Sequence, residues 1–150
     1  MNIKIPQIED LPRLLEIRYD AFQANAAQSY TDTEVKTLIQ DANLDELRAM
    51  IADKTLFVAY IDGKIAGLAG WKDNSLRHVY IDPVYERKGI AKALVLHAEQ
   101  DYLRRTSSSV LKTGCVLYAV EFYKKLGYRV LQKATDWDGS GYYQLEKDLT

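Results

Sequence analysis

The order of β-prone and helical segments predicts an α/β fold in which a mixed sheet carries helices on both faces. One observation is the Asp62-Gly63 pair, which separates the β-prone runs 56–61 and 64–71 and is typical of a tight hairpin. Another is that strands and helices alternate after the hairpin, where a further strand is followed by a long helix at about 88–104.

Residues 2–5 are predicted to form a short strand that precedes the first helix. Asp10 is expected to cap a helix that begins at Leu11, with Pro12 in the first turn, where a missing N–H costs little. The apolar stripe of this helix consists of Leu11, Leu14, Leu15 and Phe22.

Two more helices are predicted before the hairpin. One begins at Thr31, whose spacing from Glu34 is that of a capping box, and the other, 44–52, follows Asn43. The elements predicted after the hairpin are a strand at 76–82 that Pro83 ends, the long helix, a strand near 109–113, a helix at 116–126, and strands at 128–135 and 142–149 around a turn at 136–141.

The composition predicts one soluble globular domain over 1–150. Apolar residues make up 47% and charged residues 27% of the chain. The formal net charge of −1 argues against a nucleic-acid or acidic-membrane binder that relies on bulk charge. No apolar run approaches the roughly 20 residues of a membrane span, and no basic segment followed by an apolar core opens the chain. We therefore expect no membrane partner and no signal peptide.

Cys115 is the only cysteine, which excludes an internal disulfide and a zinc site built on thiolates. We expect a cytoplasmic protein without a metal cofactor. As a nucleophile, Cys115 could accept an acetyl group in a two-step mechanism. Nothing near it in the sequence identifies a base, so we interpret it as a small buried residue, and we interpret His97 as a surface or rim residue.

The segment 78–96 carries the clearest functional pattern: a strand, a turn started by proline, one glycine, and a helix that begins near Lys88. A helix start offers unpaired N–H groups and the positive end of the dipole, which favour phosphate. Gly89 lets a ligand approach the backbone, and Arg87 adds positive charge. Neither GxxxxGK[ST] nor GxGxxG is present, which excludes a Walker A loop and a dinucleotide fingerprint.

Three stretches of the sequence resemble segments of one known family: Glu86-Arg87-Lys88-Gly89-Ile90-Ala91, Val79-Tyr80-Ile81-Asp82-Pro83, and Ala119–Tyr128. The first resembles the pyrophosphate signature [QR]-x-x-G-x-[GA] of the GCN5-related N-acetyltransferase (GNAT) family. The next is similar to that family's fourth strand and its exit, and the last resembles its AxxFYxxxGF segment. The resemblance implies a GNAT fold with a mostly antiparallel mixed sheet, acetyl-CoA as co-substrate, and N-acetyltransferase activity.

The sequence departs from the family pattern at two positions. Glu86 stands where the family has Gln or Arg, and its negative charge is tolerated if the side chain points to solvent. Val116 stands where the family often has Asn, which puts one side-chain contact to the cofactor in doubt.

The resemblance also implies roles for individual residues. The backbone of the fourth strand would pair with the pantetheine arm, and the amides of the turn and helix start would hold the pyrophosphate. Tyr123 occupies the family's general-acid position, and tyrosine, with a pKa near 10, can donate to a thiolate whose pKa is about 8.5. The implied cofactor-binding residues are Val79, Tyr80, Ile81, Arg87, Lys88, Gly89, Ile90, Ala91 and Lys92.

The acceptor side has only candidates. Arg18 lies on the otherwise apolar stripe of the first helix, which indicates either a salt bridge at the edge of the stripe or an acceptor cleft that it lines with Tyr19, Phe22 and Tyr30. His78 is the best-placed titratable group, and a partly buried structural histidine is the competing interpretation. Residues 136–138 (Asp-Trp-Asp) either favour a cationic amine at the same cleft or form a solvated turn.

These observations predict an enzyme that moves an acetyl group from acetyl-CoA to a primary amine by direct attack. The acceptor is a small-molecule amine or an amine of a peptide or protein, and a homodimer is left open. The alternative is a module that binds acyl-CoA as a sensor and transfers weakly or not at all. No general base stands out in the sequence.

Overall fold

The computed structural model of the protein describes residues 1–25, 29–34, 44–135 and 141–150. These residues form a seven-stranded sheet in the order β1-β2-β3-β4-β5-β7-β6, in which β4 and β5 are parallel and every other pair is antiparallel. The predicted fold class is therefore confirmed. The strands are β1 (Asn2–Lys4), β2 (Leu56–Ile61), β3 (Lys64–Lys72), β4 (Ser75–Ile81), β5 (Val110–Val116), β6 (Arg129–Thr135) and β7 (Gly141–Asp148), and the helices are α1 (Leu11–Asn25), α2 (Leu44–Ala52), α3 (Ile90–Arg105) and α4 (Val120–Lys125).

Two separate apolar cores lie on the two faces of the sheet. Alternation along β2 divides them, because Leu56 and Val58 face α1 and α2 while Phe57 and Ala59 face α3. The helices on both faces are thus explained by the period-two pattern of buried strands. None of the helices in the described ranges is long and apolar enough to cross a bilayer.

The entry to α1 differs from the predicted cap. The helix begins at Leu11 as expected, but the carboxylate of Asp10 accepts a hydrogen bond from the N–H of Gln7 at 2.8 Å. The residues Ile8–Asp10 form a 3-10 turn that runs into the helix. Asp10 therefore closes the turn before the helix instead of capping α1.

The predicted hairpin and capping box are both present. Asp62 and Gly63 have φ of 51° and 77° and join β2 to β3, which is the positive-φ pair that a two-residue hairpin requires. The N–H of Glu34 donates to the Thr31 hydroxyl oxygen at 3.2 Å, and the N–H of Thr31 donates to the Glu34 carboxylate at 3.0 Å. The chain that follows, 35–43, into which that helix was expected to continue, lies outside the described residues.

The helix predicted over 116–126 is shorter than expected. β5 pairs with β7 as far as Val116 opposite Tyr142, so the ladder keeps Val116 extended. A 3-10 turn over Leu117–Ala119 follows, and α4 begins only at Val120. The strand partner overrides the helical pattern at this point.

Candidate active site

A cleft opens in the middle of the sheet, between β4 and β5. In the described residues these strands pair only at Ser75 with Lys112 and at Leu76 with Thr113, and they separate beyond that point. The cleft has a volume of about 510 Å³ and extends from the separated strands to the amino end of α3. From the predicted set, its lining includes His78, Val79, Tyr80, Ile81, Arg87, Gly89, Ile90, Ala91, Lys92 and Tyr123.

The free edge of β4 presents main-chain groups to this cleft. The N–H of Asp82 donates to the carbonyl of Ala66 at 2.9 Å, which directs Asp82 toward the β3 side. Because N–H and C=O groups alternate in direction along a strand, the main chain of Ile81, and of Val79 two residues before it, points away from β3. This edge can accept an extended ligand as an additional strand.

The turn between β4 and α3 is shaped by Asp82 and Gly89. One carboxylate oxygen of Asp82 accepts the N–H of Val84 at 3.1 Å, and the other accepts from Arg13 of α1 at 2.6 Å. Gly89 precedes α3 with φ of 75°, a left-handed conformation that favours glycine. A Cβ at Gly89 would meet no atom within 4 Å, so the backbone here borders open space.

The amino end of α3 has the chemistry of an anion site. The first N–H groups of the helix have no intrahelical partner, and its first turn contains no acidic residue. Arg87 and Lys92 line the cleft beside it, whereas Lys88 is not among the lining residues and its Nζ lies 5.9 Å from the ring centre of Tyr85. A contact between Lys88 and the cofactor therefore stays a prediction.

Glu86 is exposed, and it has a specific neighbour. The side-chain amide Nδ2 of Asn25, the last residue of α1, donates to Oε1 of Glu86 at 3.2 Å and to the carbonyl of Ala21 at 2.9 Å. The amide ties the carboxylate to the end of α1, at the rim of the cleft. The side chain of Glu86 is therefore exposed, but the residue is one of those that line the cleft.

Tyr123 is buried in the wall of the cleft on α4. Burial, and then its neighbours Cys115, Tyr80 and Tyr118, raise the pKa of its phenol above the ordinary value. In the part of the chain that the structure describes, no group makes a hydrogen bond with the Tyr123 hydroxyl. The side chain is therefore a neutral phenol whose proton is not already engaged.

Cys115 is buried near the carboxyl end of β5, as interpreted from the sequence. Burial raises the pKa of its thiol to about 12. At neutral pH the residue is a thiol and a poor nucleophile, which argues against a covalent acetyl intermediate.

Three of the acceptor candidates lie behind the cleft wall. Phe22 and Tyr30 are buried with Tyr80 and Tyr118, and the guanidinium of Arg18 lies 5.0 Å from the ring centre of Phe22 and 5.8 Å from that of Tyr80. The structure does not bring their side chains into the lining, and their contact with an acceptor stays a prediction. Asp136, Trp137 and Asp138 lie outside the described residues.

His78 is in the lining, but its setting was not predicted. The pairing of β3 with β4 shifts between Leu68 opposite Tyr80 and Gly70 opposite Arg77, and His78 within this bulge has φ of 59°. Its Nε2 lies 2.8 Å from Oε1 of Glu46, on α2. A contact across 32 residues leaves no local sequence signal, so Glu46 was missed.

Sequence reasoning also missed residues that share the cleft with the predicted ones. Tyr118, on the turn after β5, and Asn25, at the end of α1, both contribute to the lining. Tyr118 lies five residues before Tyr123, just ahead of the stretch similar to the family segment, and that proximity is the one signal that could have indicated it.

Comparison with known proteins identifies the class of protein. The family model described as "Acetyltransferase (GNAT) domain" matches residues 26–149. With the fold, this match defines an acyltransferase. The chain belongs to the GNAT family of acetyltransferases, as the motifs predicted.

Individual relatives agree with this assignment. The chain is 28% identical to a spermidine N(1)-acetyltransferase from Thermoplasma acidophilum, with 98% of each sequence covered. A GCN5-related N-acetyltransferase structure from Rhodopseudomonas palustris has a TM-score of 0.89 at 20% identity, covering 99% of this chain and 95% of that one. The PaiA N-acetyltransferase of T. acidophilum, solved in complex with coenzyme A, has a TM-score of 0.76 at 24% identity and 98% coverage of both chains.

Proposed function

We propose that this acetyltransferase moves the acetyl group of acetyl-CoA to a primary amine by direct attack. The observation that carries the proposal is the free edge of β4 beside the amino end of α3. Main-chain groups of Val79 and Ile81 would pair with the amides of the pantetheine arm, and the amides from Arg87 to Lys92 would hold the pyrophosphate. The coenzyme A complex of the PaiA protein supports this assignment of the donor.

The cleft supplies what acyl transfer needs after the donor binds. A neutral amine attacks the thioester carbonyl, and a main-chain amide of β4 stabilises the oxyanion that forms. The Tyr123 phenol donates its proton to the departing thiolate. Because Cys115 is a buried thiol of raised pKa, the acetyl group goes to the amine without an enzyme-bound acyl intermediate.

For the acceptor we propose a small-molecule amine. The support is the relative named as a spermidine N(1)-acetyltransferase, which matches nearly the whole chain. Polyamines therefore come first among the amines to test, with an amine of a peptide or protein as the alternative.

The experiment is an acceptor screen with acetyl-CoA as donor. Free thiol is measured over time, and the acetylated product is identified by mass spectrometry, with spermidine, spermine, simple alkylamines, amino acids and a lysine peptide as acceptors. Amine-dependent thiol release with one acetyl group on the product supports the proposal. Binding of acetyl-CoA with no transfer to any of these acceptors would support the sensor alternative.

A further inference from the structure

The bulge in β4 brings two consecutive side chains to one carboxylate. In a regular strand, neighbouring side chains point to opposite faces. Here Nη1 of Arg77 lies 2.7 Å from Oε2 of Glu46, and Nε2 of His78 lies 2.8 Å from Oε1 of the same group. His78 makes this contact from a positive φ, a conformation that is uncommon in residues other than glycine.

The three side chains that converge are partly buried. The side chains of Glu46 and His78 are 14% and 11% exposed, and the imidazole also lines the cleft. Glu46 lies in the first turn of α2, where the helix dipole favours a negative charge. A carboxylate can only accept, so it fixes the imidazole proton on Nε2 and leaves the Nδ1 lone pair as the ring's acceptor.

Three charged groups act on the imidazole. Burial is the largest effect and lowers the pKa of His78, Arg77 of β4 and Arg18 of α1 lower it further, and Glu46 of α2 raises it. The ring is therefore neutral at physiological pH, while Glu46 stabilises the imidazolium that forms when a proton arrives.

We infer that His78 is the proton acceptor for the amine and that Glu46 positions it. The inference rests on the proposed function. As the nitrogen of the amine bonds to the carbonyl carbon, the π electron pair moves to oxygen and Nδ1 of His78 takes a proton from that nitrogen. When the oxyanion collapses, the C–S bond breaks and the thiolate takes a proton from Tyr123. The imidazolium then gives its proton to the tyrosinate, directly or through solvent, so both residues are restored and one amide and one thiol form.

The variants for the test are His78→Gln and Glu46→Gln, with His97→Gln as the matched control. His97 is the other histidine of the chain, and its ring packs 4.6 Å from that of Phe57, on α3 and outside the cleft lining. The measured quantity is kcat/KM, calculated on neutral amine, as a function of pH. The rise in Tm with acetyl-CoA reports for each variant that the folded donor site is intact.

For the wild type and His97→Gln, kcat/KM on neutral amine should fall as pH drops through the pKa of His78. For His78→Gln the value should be lower by about 100-fold or more, and this pH dependence should be absent. In Glu46→Gln the fall should move to lower pH, because Glu46 raises the pKa of His78. A purely structural role of Glu46 would lower the rate without moving the profile.

Two results would overturn the inference. One is a His78→Gln enzyme with the wild-type rate and profile, and the other is a Glu46→Gln profile that does not move. If His78→Gln does not fold, the shift in Glu46→Gln decides the question by itself. A wild-type enzyme that transfers to no amine contradicts the proposed function instead, so the two failures are distinguishable.

Discussion

The hydroxyl of Tyr128 donates a hydrogen bond to Oε2 of Glu99 at 2.8 Å, in the interior between α3 and the sheet. Oε1 of the same carboxylate accepts from Nζ of Lys147 at 2.9 Å. Tyr128 also donates its backbone N–H to the carbonyl of Tyr123 at 3.0 Å, and the two rings lie 5.6 Å apart. This buried cluster therefore supports the tyrosine that lines the cleft.

The cluster predicts a loss of stability at alkaline pH. Burial raises the pKa of Tyr123 and Tyr128, and the charge of Glu99 raises that of Tyr128 further. Above about pH 10 the unfolded chain releases these protons while the folded chain keeps them, so the free energy of unfolding falls by about 1.4 kcal/mol per pH unit for each group. Below about pH 10 their contribution is complete.

Tyr128→Phe removes one of these two phenols. The free energy of unfolding of the variant should therefore fall less steeply with pH, by the contribution of one group. Urea unfolding of both proteins at about pH 8, 10 and 11 measures the slope. Equal slopes for wild type and variant would contradict the role assigned to Tyr128.

Substitutions at Gly89 separate backbone strain from charge. Gly89→Asp and Gly89→Asn have the same shape, and both place a side chain on a residue with φ of 75°, which asparagine and aspartate tolerate best. Each should lower the free energy of unfolding by about 1 kcal/mol, the low end of the cost of a left-handed L-residue. Only the aspartate adds negative charge at the proposed pyrophosphate site, so acetyl-CoA should raise the Tm of Gly89→Asn and not that of Gly89→Asp. If acetyl-CoA raised the Tm of both variants as much as that of the wild type, the pyrophosphate would have to bind elsewhere.

Tyr123→Phe tests the general acid. The variant keeps the ring contacts with Phe122 and Tyr128 and removes a hydroxyl that has no hydrogen-bond partner among the described residues. The free energy of unfolding and the affinity for acetyl-CoA should therefore change little. kcat should fall by about 100-fold, since a positioned acid contributes at least this much. An unchanged kcat would assign protonation of the sulfur to water or to another residue.

Glu86→Gln should tighten acetyl-CoA binding. The exposed carboxylate lies at the rim of the cleft, and its removal eliminates repulsion of a polyanionic ligand. Because solvent and salt screen exposed charges, Kd should fall by only about two- to five-fold, and less at high salt. Glu121→Gln on α4 makes the same charge change at an exposed residue outside the cleft lining and is the control. Equal effects of the two variants would show that net charge, and not position, governs binding.

Local chemistry explains which parts of the fold the sequence could predict. Asp62 and Gly63 dictate their hairpin through their own backbone preferences, and the Thr31–Glu34 capping box closes within one turn. The end of β5 was mispredicted because Val116 is held extended by Tyr142, a partner 26 residues away.

The candidate site also contains parts that local sequence could predict and parts that it could not. The turn around Gly89 and the helix start could be predicted because their chemistry is contained in consecutive residues. The contact between Glu46 and His78 depends on a bulge, and a bulge is set by how two strands pair. The burial of Arg18 against aromatic rings likewise requires elements that only the folded chain brings together.

The seam between β4 and β5 is short, so a ligand in the cleft can add to the cohesion of the sheet. Among the described residues, β4 and β5 join the two halves of the sheet through two residue pairs. The Thr113 hydroxyl also donates to the carbonyl of Leu76 at 3.0 Å, and the N–H of Lys112 donates to the carbonyl of Asn74 at 2.8 Å. A ligand that forms hydrogen bonds with the free edge of β4 and also contacts β5 would link the two halves of the sheet. Amide protons of β5 and β7 should then exchange with solvent more slowly when the ligand is bound. Binding at this seam would thus raise the free energy of local opening of these strands.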